Sequence, residues 1–178
     1  NFVLNVCKVK QEWTMEGFVE KTVKEISGIE GNVLCGVSGG IDSTVAALLI
    51  HKAIGNRLTG VFVDNGLLRL DESKEIEDMF KNNFSLNFHR IDASEQFLSK
   101  LKGITDPEQK RKIVGEEFIQ VFTKFAKENG PFKWLAQGTL YPDIIESGVS
   151  KGPAAVIKSH HNVGGLPDWL DLKILEPL

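Results

Sequence analysis

The sequence predicts an α/β domain built as a doubly wound parallel sheet with helices on both faces. Short apolar runs of strand length alternate with longer stretches of helical spacing, the pattern of a sheet buried on both sides. The strand-like runs also end in polar or glycine residues, and open α/β sheets bind ligands at such carboxyl ends. At 178 residues with 42% hydrophobic content, the chain suits one domain with a sizeable core.

The elements follow in order. From about Thr14 to Ser27, Phe18, Val19, Val23 and Ile26 fall on one helical face, predicting a packing helix ahead of the first strand. Asn32–Val37 reads as a strand, Ser43–Ile54 as a helix, Arg57–Val63 as a strand and Glu72–Phe80 as a helix. Leu86–Ile91 is a further strand, followed by helices near Ser94–Leu101 and Pro107–Lys127 and a strand at Phe132–Ala136. The last helix has a strong start: Asp106 at the N-cap, Pro107 at the first position and Gln109 where a capping box expects it. The strand ends collect Ser38-Gly39-Gly40, Asp64-Asn65-Gly66, Asp92 and Gln137-Gly138-Thr139 on one rim. From Ser147 to Pro167 the chain becomes rich in Gly, Ser, Lys and His with little periodicity, and reads as a long functional loop.

Composition removes several function classes. With 21 Lys+Arg against 24 Asp+Glu the formal charge is -3, so no general basic surface points to nucleic acid or an anionic membrane, and any anion site must be local. No apolar run approaches the roughly 20 residues that span a bilayer, and the first six residues lack a signal-peptide centre. A cytoplasmic location is expected. Cys7 and Cys35 are far apart without CxxC spacing and are read as packing or incidental thiols.

Chemistry concentrates in "VLCGVSGGIDSTVAALL", residues 33–49, a strand running through a glycine turn into a helix. Glycines let backbone amides approach phosphate oxygens, and the helix N-terminus adds further unpaired donors. Ser38 and Ser43 supply hydroxyls, but Asp42 would repel a phosphate unless a divalent cation lay between them, which argues for Mg2+. The Gly-Lys-Ser/Thr of a Walker loop is absent, which disfavours γ-phosphoryl transfer.

The SGGIDS loop matches that of the PP-loop, or adenine nucleotide α-hydrolase, superfamily. Together with "VFVDNGLLRL" from Val61, "GITDPEQKRKIVGEEF" from Gly103, "WLAQGTLYPDIIESG" from Trp134 and "VIKSHHNVGGLP" from Val156, the chain resembles the ATP pyrophosphatase domain of the GMP synthetase family. The resemblance implies adenylation of XMP at O2 by MgATP, release of pyrophosphate, and displacement of AMP by glutamine-derived ammonia to give GMP. It implies that residues 1–28 are a linker and lead-in helix after an absent glutaminase domain. Residues 29–178 would be the ATP pyrophosphatase domain, ending before an absent C-terminal domain through which the full enzyme forms a homodimer. A PP-loop amide ligase of NAD synthetase type and a non-catalytic nucleotide-binding fragment are the alternatives.

Candidate site residues follow from motif and resemblance together. ATP binding is expected at Val37, Ser38, Gly39, Gly40, Ile41, Asp42 and Ser43, at Gly138 and Thr139, and along Val61, Phe62 and Val63, a strand whose backbone meets adenine in the resembling family. The side chains of those three are equally explained as core. Lys110 and Arg111, beside Lys112, lie in the first turns of a helix whose dipole disfavours cations, so they suit a bound anion or a solvated basic patch. The resemblance places them in a lid over the substrate phosphates. Asp143 and Glu146 share a face on a helical turn from Pro142 and suit Mg2+ with Asp42, the other reading being a solvated helix start. Lys158, His160 and His161 suit charge stabilisation as pyrophosphate departs, because adjacent histidines without a Cys partner make a poor zinc site. His51 and His89 have no such company and are expected at the surface or a boundary.

Overall fold

The computed structural model describes residues 2–9, 14–138 and 172–178. Among these residues five parallel strands, β1 (Val33–Gly36), β2 (Leu58–Asp64), β3 (Asn87–Asp92), β4 (Trp134–Ala136) and β5 (Lys173–Leu175), form one sheet in the order β3-β2-β1-β4-β5. Among the described residues five α-helices accompany them: α1 (Met15–Ser27), α2 (Ile41–Ile54), α3 (Glu72–Asn83), α4 (Ser94–Leu101) and α5 (Pro107–Asn129). The chain winds outward from β1 to β3, then returns past β1 to β4. That reversal creates a topological switch point between β1 and β4, where open parallel sheets hold their ligands.

Strand alternation sorts the core into two layers. Val33 and Cys35 of β1, with Leu58 and Phe62 of β2, face Ile26 of α1, Ala47, Ile50 and Ile54 of α2, and Ile76 and Phe80 of α3. On the opposite face Leu34, Val61, Val63 and Leu135 pack with Phe97 of α4 and with Val121 and Phe125 of α5. The period-two side-chain pattern of each strand therefore feeds both faces, and the predicted double winding is observed. Cys35, buried in the first layer, has its thiol pushed up to about 12 by burial, which makes it inert packing.

Local signals place the helices. Thr14 caps α1, its hydroxyl accepting the Gly17 N–H at 3.1 Å. Asp106 caps α5 in the same way, accepting the Gln109 N–H at 2.8 Å with Pro107 opening the helix. Two differences from the sequence reading stand out. Helix α2 starts at Ile41, two residues earlier than expected, because the extended Gly40 acts as N-cap without using a side chain. Strand β5 was not anticipated: its three residues are too few to show a period, and it exists because β4 offers a free edge. There Lys173 N–H donates to the Lys133 carbonyl, and Gln137 N–H to that of Leu175, both at 3.0 Å.

Phe97 is fully buried and sets its ring edge-on to Phe118 at 5.0 Å, so it ties α4 to both α5 and the sheet. Phe97→Ala is expected to destabilise the fold by about 3–5 kcal/mol, the range for removing a buried aromatic side chain. A urea titration checks this.

Candidate functional site

The switch point is bounded by backbone. In register, Gly36 at the end of β1 lies opposite Val61, while β2 continues to Asp64 beside β3. The Val37 N–H donates to the Val61 carbonyl at 2.9 Å, so Val61 directs its polar groups toward β1. By the two-residue repeat of a strand, the N–H and C=O of Val63 point to that same side, where β1 has already ended. The side chains of Val61, Phe62 and Val63 are all buried, so they serve as core, and only their backbone faces the crevice. The Val37 side chain is likewise core.

The loop from Ser38 to Ser43 closes on itself. The Ser38 N–H donates to Ser43 Oγ at 3.1 Å and the two hydroxyls lie 3.0 Å apart. The Gly40 carbonyl accepts from Ser43 Oγ at 3.1 Å and from the Thr44 hydroxyl at 2.8 Å, which holds the first turn of α2 in place. The N-cap, Gly40, has no side chain to cap that helix, so among the described residues its leading amides remain available to an anion. Gly39 adopts φ +81°, and a Cβ there would fall 2.4 Å from Cδ1 of Ile76 on α3. A Cβ on Gly138, in the turn after β4, would come within 3.2 Å of the Asp42 and Ser43 backbone. The two glycine segments, a hundred residues apart, thus meet at the N-terminus of α2. Ile41 and Asp42 are exposed on that first turn.

Other expected residues fall elsewhere. Lys110 and Arg111 stand exposed in the first turns of α5, and Arg111 is held by Glu108 of the same helix, its Nε 3.0 Å from the carboxylate. Among the described residues no hydrogen bond or ion pair links them to the glycine loop. Phe122, later in α5, packs against Gly36, which puts Lys110 roughly 18 Å back along the helix axis. Thr139, Asp143, Glu146, Lys158, His160 and His161, with the loop read at 147–167, lie outside the described residues. Half-buried His51 and His89 sit at boundaries as expected, the His89 ring edge-on to Phe125 at 5.1 Å. Among the described residues no group of three His, Cys, Asp or Glu side chains converges to hold a metal.

Sequence reasoning missed one charged cluster on the rim. Arg90 of β3 donates to Asp64 Oδ2 and to Ser73 Oγ, each at 2.8 Å, and lies 3.7 Å from Glu77. Burial works to raise the Asp64 carboxyl, but donors from Arg90, Ser73 and the Gly66 amide outweigh it and hold the group below its ordinary range. Asp92 is also lowered, first by the Ser94 hydroxyl and amide that it accepts. The available signal was an arginine two residues after Phe88 in a strand, and so on the same face as that apolar side chain.

The strand order, with a glycine loop at the switch point, defines a PP-loop domain of adenine nucleotide α-hydrolase fold. The chain belongs to the NAD synthase family, whose model matches residues 13–126. Among solved structures it resembles an NH3-dependent NAD synthetase from Campylobacter jejuni, with TM-score 0.63, 12% identity, and 76% of this chain and 61% of that one covered. It also resembles an NMN synthetase from Francisella tularensis, with TM-score 0.56, 20% identity and coverage of 72% and 56%. These likenesses establish the fold. Among curated relatives it is 58% identical, over its whole length, to a GMP synthase [glutamine-hydrolyzing] from Nitratidesulfovibrio vulgaris strain DP4. It is 53% identical over its whole length to that of Clostridium kluyveri. The chain spans 35% of the length of these relatives.

Gly39→Ala is expected to cost about 1–2 kcal/mol through its left-handed backbone, with Ile76 forced aside. Thermal melting checks the loss; an unchanged midpoint would show that the loop relaxes freely. The depressed Asp64 carboxyl contributes stability above its ordinary value of 3.8, lost as pH falls through its lower folded value. The stability gap between wild type and Arg90→Met should therefore narrow as pH drops from about 5 to about 2. Urea midpoints across that range test it, and a pH-independent gap would rule out the carboxylate as its origin.

Proposed function

We propose that the chain is the ATP-activating part of a glutamine-hydrolysing GMP synthetase. It binds ATP at the switch point, with the adenine along the Val63 backbone and the phosphates in the Ser38–Ser43 loop. The α-phosphate is attacked by O2 of XMP, so that the bond to the β-phosphate breaks and pyrophosphate leaves. Ammonia then displaces AMP to give GMP. The observation that carries the reading is the uncapped first turn of α2, walled by Gly39 and Gly138, in a chain 58% identical along its full length to a GMP synthase.

Each group has a part. Amides at the start of α2 and the hydroxyls of Ser38 and Ser43 donate to the departing pyrophosphate, an electrostatic contribution that strengthens as charge develops. Asp42 accepts no phosphate directly; its exposed carboxylate fits Mg2+, which is typically held by one or two carboxylates together with phosphate oxygens and water. Bound there, Mg2+ would neutralise phosphate charge and polarise the α-phosphate. Asp143 and Glu146 are proposed as further ligands. Lys158, His160 and His161 are proposed to stabilise the transition state, and Lys110 and Arg111 to reach the substrate phosphates on closure.

Whole-enzyme features belong to the same proposal. A glutaminase domain supplies ammonia, a C-terminal domain completes the XMP site and joins two copies, residues 1–28 link the glutaminase to the domain at 29–178, and the enzyme works in the cytoplasm. A second reading, an amide ligase of NAD synthetase type, is favoured by the family model matching residues 13–126. ATP–pyrophosphate exchange by the full-length enzyme separates the two: exchange should require XMP. Exchange driven instead by a carboxylate-bearing nucleotide such as nicotinate adenine dinucleotide would establish the second reading. With saturating ammonia the 178-residue chain should bind ATP yet form little GMP, because lost acceptor positioning can forfeit up to roughly 7–11 kcal/mol.

Asp42→Asn should weaken MgATP binding by roughly 10-fold or more while leaving metal-free ATP affinity nearly unchanged, the size expected for a lost charged ligand. Calorimetry with and without Mg2+ measures both, and equal affinities for MgATP would remove Asp42 from the metal site.

A further inference from the structure

We infer that Arg90, which touches no part of the glycine loop, is the positioning residue that sets the width of the ATP crevice by tying α3 to the end of β2. This rests on the nucleotide site proposed above.

Arg90 holds two elements together. One edge of its guanidinium, Nε with Nη2, meets Ser73 on α3 and Asp64, the last residue of β2, while Nη1 lies 3.7 Å from Glu77 on α3. Each element forms part of the crevice. Asp64 directly follows Val63, whose backbone groups face the open side of the sheet, and its Oδ1 accepts the Gly66 N–H at 3.1 Å, directing the chain away from the rim. On α3, Ile76 lies between the two Arg90 contacts and packs under Gly39 so closely that a Cβ there would overlap it. A shift of α3 would therefore move the wall of the phosphate loop, and a shift of Asp64 would move the strand end proposed to meet the base. One cation controls both, with donors in a fixed planar fork that a lysine cannot reproduce.

Arg90 lies two residues after Phe88, which stacks on Phe80 at 4.9 Å, so the two share the strand face that α3 covers. Its own side chain reaches the exposed rim, where three partners from two elements hold it. An arginine held by several partners from different elements constrains their relative placement more than a lone surface pair does.

The test uses the full-length enzyme with Arg90→Met, Arg90→Lys and Ser73→Ala, measuring initial rates against ATP and XMP separately. Arg90→Met should raise the KM for ATP roughly 10-fold or more and leave the KM for XMP within about twofold, because displacement of one substrate's binding groups by an ångström is enough for such losses. Arg90→Lys, which retains the charge and one contact, should fall between Arg90→Met and wild type, and it serves as the readout if the methionine variant does not fold. Ser73→Ala should give a smaller rise in the same parameter. An ATP KM within twofold of wild type in both arginine variants would overturn the inference, as would equal losses for ATP and XMP, which mark general loosening of the fold. If wild type supports no XMP-dependent ATP–pyrophosphate exchange, the functional reading fails. Exchange with unaltered variants defeats the inference alone.

Discussion

The rest of the carboxyl rim depends on β1 ending at Gly36 while β2 runs on to Asp64. A parallel sheet buried on both faces must pair its backbone groups, and a strand that stops early leaves its neighbour half paired. The edge beyond Val61, at Val63, runs past the end of β1 beside the switch point where the chain reverses toward β4. The glycine turn after β1 fills the same space with the leading amides of α2. Donors and acceptors of the backbone thus collect at one place on the rim.

Close packing then makes the crevice specific in shape. Gly39 rests on Ile76, and Gly138 abuts the backbone of Asp42 and Ser43, so the loop is held from both flanks by segments distant in sequence. A Cβ would overlap Ile76 at the first contact and crowd the backbone at the second. Among the described residues, the contacts of Arg90 with Asp64 and Glu77 place an ion cluster at the same rim. There it orients secondary structure.

Fold and chemistry separate in the comparisons. At 12% and 20% identity, the NAD and NMN synthetase structures share the sheet and its winding with this chain. The GMP synthase relative is 58% identical over the whole chain, a likeness of sequence as well as of scaffold, and a shared scaffold by itself leaves the choice of acceptor open.

How much was legible beforehand depends on the range of the interaction responsible. The alternation of strand and helix, the caps at Thr14 and Asp106, and the turn at Ser38–Ser43 are set by residues within a few positions of each other, so the sequence by itself determined the fold class and the phosphate-type loop. The family resemblance was also readable there, because four ordered motifs carry it. The start of α2 was read two residues late, since an extended glycine cap leaves no side-chain signal. Strand β5 was invisible because three residues form a strand only when a partner edge is available. Only the tertiary structure decided that Gly138 meets Asp42 and that Arg90 joins β2 to α3. Those contacts join residues between 17 and 96 positions apart, and no local periodicity encodes which distant surface a folded strand end will meet.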